Sequence, residues 1–331
     1  MQLSKMTLYL FDLPGKEIQL NAVQLSPTGQ IQTLDGAVRA SYKNEIRHFQ
    51  AEHAAHALQK GFDPEHNPIF TLESFDKSNG DRTFSLGSVE FRDYYALKKL
   101  LYQHPSDKQL LQQFVPFSMI VHLATADHYL VLGHRAGEHL PNRYLPPAGF
   151  QAYDSLLSQN YFRDKCIEEI TEETGIPFAG QISYIGLTGD TRDSFLDVCV
   201  FLAKTEKTAA EVENCFQSSG AKDEHSHLIY LPSNAVAICS FLRGNYSGVL
   251  NPFQDIVFKN GSCVRGPAEI KNKQYKQIEN GIGAFAAYLS LTMRPEQLQE
   301  ALAQVVATGN LSGVVEKQLR RGISPFLLSP R

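Results

Sequence analysis

The sequence predicts an α+β protein, on three observations. Strand-patterned and helix-patterned segments are interleaved along most of the chain. With 43% hydrophobic and 20% charged residues over 331 positions, the composition is that of a folded chain long enough for one large or two ordinary cores. A polar, proline-containing break from His104 to Gln109 separates two apolar-patterned regions and predicts a boundary there. The expected organisation is a small N-terminal α+β accessory domain over 1–108, a main domain over 109–294 and a helical C-terminal extension over 295–331.

The elements follow in order. "MTLYLFDL" and "IQLNAVQL" have strand composition, and the turn-forming "PGKE" between them predicts a hairpin. From Ala37 to Lys60, Tyr42, Ile46, Phe49, His53 and Ala54 recur at helical spacing. "NPIFTLESF" and "RTFSLGSVEF" return to strand patterning around the turn cluster "DKSNGD", and "FRDYYALKKLLYQ" is a short amphipathic helix. "FSMIVHLATADHYLVLGHR" predicts a hairpin about "TAD", feeding the Pro/Gly-rich loop "AGEHLPNRYLPPAGF". A helix from about Asn160 to Thr174 comes next, then strands in "QISYIGLTGD" and "SFLDVCVFLAK", a helix in "AAEVENCFQSS" and a strand in "SHLIYLP". A small-residue helix in "YKQIENGIGAFAAYLSLTM" precedes two tail helices, the first opened by Pro295.

Several function classes lose support at once. A formal charge of −4 provides no basic field to concentrate nucleic acid or anionic lipid. No apolar run reaches the roughly 20 residues of a membrane helix, and "MQLSKMTLYLFDLPGKE" lacks the features of a cleaved leader, so a cytoplasmic protein is expected. Cys166, Cys199, Cys215, Cys239 and Cys263 show no CxxC spacing and read as reduced structural thiols. His122 and His134 have no HxxxH or HExxH partner and read as structural histidines. The oligomeric state is left open.

The densest chemistry lies in "CIEEITEETGIP", Cys166 to Pro177, where four glutamates occupy six positions. In a helix, Phe162, Cys166, Ile170 and Thr174, with Ile167 beside them, make one buried stripe. Glu169, Glu172 and Glu173 stand at i, i+3 and i+4 and so gather on another face. Like charges at that spacing cost about 0.2–0.5 kcal/mol per pair, and no basic residue follows to complement the helix dipole. Gly175 and Pro177 stop the helix. Two readings compete: a solvated acidic face, or a cluster that a bound cation neutralises.

The order of elements and the motif "EEITEETGI" resemble the Nudix family. Its box runs Gly, five residues, Glu, seven residues, then Arg-Glu-apolar-any-Glu-Glu-any-Gly-apolar. Glu169, Ile170, Glu172, Glu173, Gly175 and Ile176 fall on defined positions of the second half. Glu168 takes the arginine position, so the ion pair that orients a glutamate there is absent or supplied from elsewhere. If Gly149 is the box glycine, Glu169 lies 20 residues beyond it, five more than the pattern, and no glutamate stands in the intervening loop. The flanks "SLGSVEFRDYYALK", "LATADHYLVLGHR" and "DEHSHLIYLP" are similar to those of the family's hydrolases of UDP-glucose and UDP-galactose.

The resemblance implies an α/β/α sandwich with a mixed sheet, and an Mg²⁺-dependent (alternatively Mn²⁺-dependent) hydrolase of a small-molecule nucleoside diphosphate derivative. A UDP-sugar would be cut to UMP and sugar 1-phosphate. Glu169, Glu172 and Glu173 would be catalytic and would bind the metal, joined by Glu224 in "KDEHSH" or by Asp197. Arg135 and Arg192 would meet phosphate oxygens, with Gly149 and Phe150 at the substrate and Tyr153 a further stacking candidate. Three rivals remain: an ADP-ribose or dinucleotide pyrophosphatase, a Nudix-fold module that binds a nucleotide or partner without cutting it, and an unrelated α+β protein with an acidic surface helix.

Overall fold

The computed structural model of the chain describes residues 8–59, 67–78, 80–104, 107–135, 144–150, 152, 158, 160–190, 196–220, 225–244, 246–253, 256–259, 262–265 and 279–305. The first part comprises β1 (Leu8–Asp12), β2 (Ile18–Gln19), β3 (Val23–Gln32), α1 (Gly36–Ser41), α2 (Lys43–Gln59), β4 (Pro68–Asp76), β5 (Arg82–Glu90) and α3 (Phe91–Gln103). There follow α4 (Lys108–Leu111), β6 (Phe117–Ala124), β7 (Tyr129–Arg135), β8 (Tyr144–Leu145), β9 (Ala148–Phe150) and α5 (Tyr161–Thr174). Then come β10 (Gln181–Asp190), β11 (Leu196–Lys204), α6 (Ala209–Ser218), β12 (His225–Pro232) and α7 (Ala235–Leu242). β13 (Val249–Asn251), β14 (Ile256–Lys259), β15 (Ser262–Arg265), α8 (Glu279–Leu289) and α9 (Pro295–Val305) complete the order.

The main sheet runs β1-β10-β11-β6-β7-β12, with β2 also on β10, β8 on β7 and β9 on β6. Its β11–β6 pair is parallel and its other pairs antiparallel, so the sheet is mixed. Side chains alternate across it as the two-residue period of a strand requires. Met119, Val121 and Leu123 of β6 share a cluster with Phe162, Cys166 and Ile170 of α5 and with Val212 and Phe216 of α6. Ile120 of β6 and Val198, Val200 and Leu202 of β11 join Ala284 and Ala287 of α8 instead, while Leu130, Leu132, Ile229 and Leu231 pack on α7, α8 and α9. Two helical layers therefore enclose a sheet buried on both faces, and the protein is α+β in the expected α/β/α arrangement.

The strand-turn-strand reading of the N-terminus is corrected. β1 and β2 each pair antiparallel with β10, Leu8 opposite Asp190 and Ile18 opposite Tyr184, so both run the same way along one edge. The intervening segment with "PGKE" is an excursion from that edge rather than a reversal. Residues on both sides of position 108 thus contribute to the main sheet. The small sheet, β3-β5-β4, docks through Phe84, whose ring meets Phe117, Phe162 and Tyr184. Arg82 Nε and Tyr184 OH both donate to Asp12 Oδ2, at 2.6 and 3.0 Å, tying β5 to the two outer strands. The expected first tail helix is α9; the second lies outside the described residues, and α7 and the β13-β14-β15 sheet were not anticipated.

Candidate functional site

α5 is held as its sequence pattern requires. Phe162, Cys166, Ile170 and Thr174 are buried, and Ile167 packs on the edge of their cluster. Gly175 ends the helix in the left-handed region at φ 72°, with its N–H donated to Thr171 O at 2.9 Å. Burial first, and the nearby charge of Glu169 second, push the Cys166 thiol well above its ordinary range, making it a neutral core group rather than a nucleophile.

The three glutamates do not share one environment, which corrects the expected single acidic face. Glu172 is exposed, Glu169 is half-buried and Glu173 is 2% exposed. β9 crosses beside the two that point inward. Ala148 N donates to Glu173 Oε1 at 3.1 Å. The Glu169 carboxyl lies against Gly149, where an added Cβ would stand 2.1 Å from Oε1. Gly149 is therefore the position at which a side chain would displace Glu169, and β9 brings Ala148 and Gly149 together with Glu173 and Glu169. Glu168 pairs outward with Lys165 at 2.5 Å on the same helix.

His225, at the start of β12, completes the inner part of this arrangement. Its Nε2 lies 2.8 Å from Glu173 Oε2, with both side chains removed from solvent. With Glu173 ionised, the carboxylate can only accept, and Nε2 would then carry the proton and donate it. Neither periodicity nor spacing singles out this residue. Attention to "KDEHSH" falls on Glu224, one position short, and Glu224 lies outside the described residues, as do Arg192 and Tyr153. Arg135 ends β7 and is described by its backbone alone. Asp197 is buried on β11, opposite Phe117. Phe150 is 37% exposed, but its ring meets Phe91 and Tyr94 of α3, so it anchors β9 as well as presenting a face to solvent.

A second polar group lies across the sheet from Glu173. Ser226 Oγ sits 2.7 Å from His134 Nδ1 and 2.9 Å from His227 Nδ1, the two rings stack at 4.5 Å, and Tyr144 OH reaches His227 Nε2 at 3.2 Å. His122 is buried against Phe285 and Tyr288 of α8.

The oxygen donors on α5 have the chemistry of a hard-cation site. The fit is nevertheless incomplete: among the described residues, no three His, Cys, Asp or Glu groups stand close enough together to hold a metal ion. Glu173 turns its oxygens to Ala148 and His225, Glu169 lies half-buried against Gly149, and Glu172 alone of the three is exposed. Among the described residues, too, no helix is long and apolar enough to cross a membrane.

The sequence matches no family model and no curated protein. Among solved structures it is similar to a MutT/nudix family protein from Enterococcus faecalis, at 15% identity over 69% of this chain and 92% of that one, with a TM-score of 0.28. It is similar also to NrtR from Shewanella oneidensis (13% identity, 62% and 83% covered, TM-score 0.27) and to a NUDIX-family hydrolase from Clostridium perfringens (16% identity, 35% and 80% covered, TM-score 0.24). Superpositions of this quality transfer neither fold nor activity to this chain.

Proposed function

We propose that the chain is a Nudix-type pyrophosphohydrolase that cuts a small nucleoside diphosphate derivative with the help of a divalent cation. The observation that supports it best is Glu169: a partly exposed carboxylate near the end of a helix, laid against backbone at Gly149, where no side chain intervenes. Substrates in this reading are UDP-sugars or ADP-ribose. The difficulty such a reaction presents is charge, since pyrophosphate repels an attacking hydroxide. A divalent cation such as Mg²⁺ or Mn²⁺, which Glu169 and Glu172 would hold, would supply the screening and acidify the water.

A second reading, a nucleotide-binding module without turnover, is favoured by two features. Glu173 has given its oxygens to the fold, and Glu168 stands where a box arginine would. Incubation with Mg²⁺ and a panel of UDP-sugars, ADP-ribose and dinucleotides separates the two. UMP plus sugar 1-phosphate, or AMP plus ribose 5-phosphate, is the expected outcome, and Glu169→Gln should lower kcat by about 100-fold or more. Binding of these compounds without product would replace the first reading by the second.

A further inference from the structure

Each strand contact around Glu173 contributes to placing one carboxylate. In β12, Leu228 and Tyr230 face α5, whereas Ile229 and Leu231 face α7 and α8. Regular alternation would put His225 with Ile229 and Leu231, away from α5. The register shifts between His225 and His227, which oppose Arg135 and His134, so Ser226 is the extra residue of a bulge. A bulge re-aims a side chain, and this one turns His225 onto the α5 face while His227 stays on the other.

Space for the ring is made in the neighbouring strand. A Cβ on Gly133 of β7 would stand 2.6 Å from three ring atoms of His225. The turned ring then meets Glu173 Oε2 at 2.8 Å, while Oε1 accepts from Ala148 N. Glu173 therefore joins β12, α5 and β9 through one carboxylate. One helical turn earlier, Glu169 rests on the next residue of β9, Gly149.

We propose that His225 and Glu173 are a positioning pair: they fix the last turn of α5 against β9 and thereby set where Glu169 presents its oxygens, with Glu173 acting through the helix rather than as a cation ligand. The proposal rests on the hydrolase reading and assigns roles within the same site. It also accounts for Glu168, since the restraint an arginine would provide at that position comes from β12 instead.

The test is Mn²⁺ affinity of the full-length protein, measured by electron paramagnetic resonance, alongside steady-state kinetics. His225→Leu removes the donor and should weaken Mn²⁺ by about tenfold, the effect typical of a group that orients a ligand. His225→Gln keeps an N–H donor and should recover most of that loss, which a purely space-filling role would not require. Glu169→Gln should abolish binding, whereas Glu173→Gln, which can still accept from Ala148, should weaken it less than Glu169→Gln does. Equal losses at Glu173→Gln and Glu169→Gln would make Glu173 a ligand and overturn the proposal. So would a wild-type Mn²⁺ affinity in His225→Leu, with the hydrolase reading left standing. A wild-type protein that neither binds Mn²⁺ nor turns over any compound overturns both.

Discussion

His225 and His122 are both fully buried in the main sheet, on opposite faces, and the chain treats them in opposite ways. His225 faces a carboxylate, and the strand carrying it is bulged to bring the two together. His122 continues the regular alternation of β6 and meets the rings of Phe285 and Tyr288. The first costs backbone regularity and a glycine at position 133; the second buries both ring nitrogens away from solvent and weakens the hold on a proton. Burial alone therefore does not mark a residue as functional. The distortion made to give it a specific partner is the better sign, because local rules are broken where another requirement outweighs them.

The sharpest way to break this contrast is to remove the partner. Glu173→Ala leaves the partly buried Ala148 N–H and the buried His225 Nε2–H without the carboxylate they share. Orphaning buried donors costs about 1–3 kcal/mol each, so a loss of about 3 kcal/mol is expected in urea unfolding. A loss below about 1 kcal/mol would show that the pair is not a restraint at all.

The second prediction concerns pH. Burial lowers the His122 pKa from 6.5 to about 4, only partly offset by the backbone of Ala284. A folded-state pKa below the unfolded one means that the unfolded chain binds the proton first. The contribution is therefore fully present above about pH 6.5 and is lost as pH falls toward 4, by about 3 kcal/mol in all. His122→Leu should flatten that part of the stability profile when urea midpoints are compared between pH 7 and pH 4.5. An unchanged slope would mean that the acid sensitivity resides elsewhere.

How much of this was legible follows from the range of each signal. The α5 stripe and its stop at Gly175 could be read because period and punctuation are local. So could the strands β4, β5, β10 and β11, each an apolar run bounded by turn residues. The N-terminal hairpin was misread because a strand-turn-strand pattern does not reveal its partner, and here both strands lie on β10, roughly 170 positions away. α7 was missed because "AVAICSFL" is apolar all round and shows no periodicity. At the site, helical spacing could place Glu169 and Glu173 one turn apart, but the differing burial of adjacent Glu172 and Glu173 depends on which strand crosses the helix end. His225 depends on a bulge that leaves no trace in composition.

Gly149→Ala is the mildest change and the one that best separates stability from placement. The added Cβ would lie 2.1 Å from Glu169 Oε1, far inside contact distance. The atom it strikes is the tip of a flexible, half-buried side chain, however, and not backbone, so Glu169 can swing outward at little cost. Gly149 lies in β9 at an ordinary negative φ, where alanine loses less conformational entropy on folding than glycine. Stability should therefore change by less than about 1 kcal/mol. Mn²⁺ affinity and kcat should fall together, because the carboxylate would no longer rest on β9. If Gly149→Ala instead unfolded the protein while its folded fraction kept full cation affinity, Gly149 would be a packing requirement of the β6–β9 pair, and the close approach of Glu169 would be incidental to it.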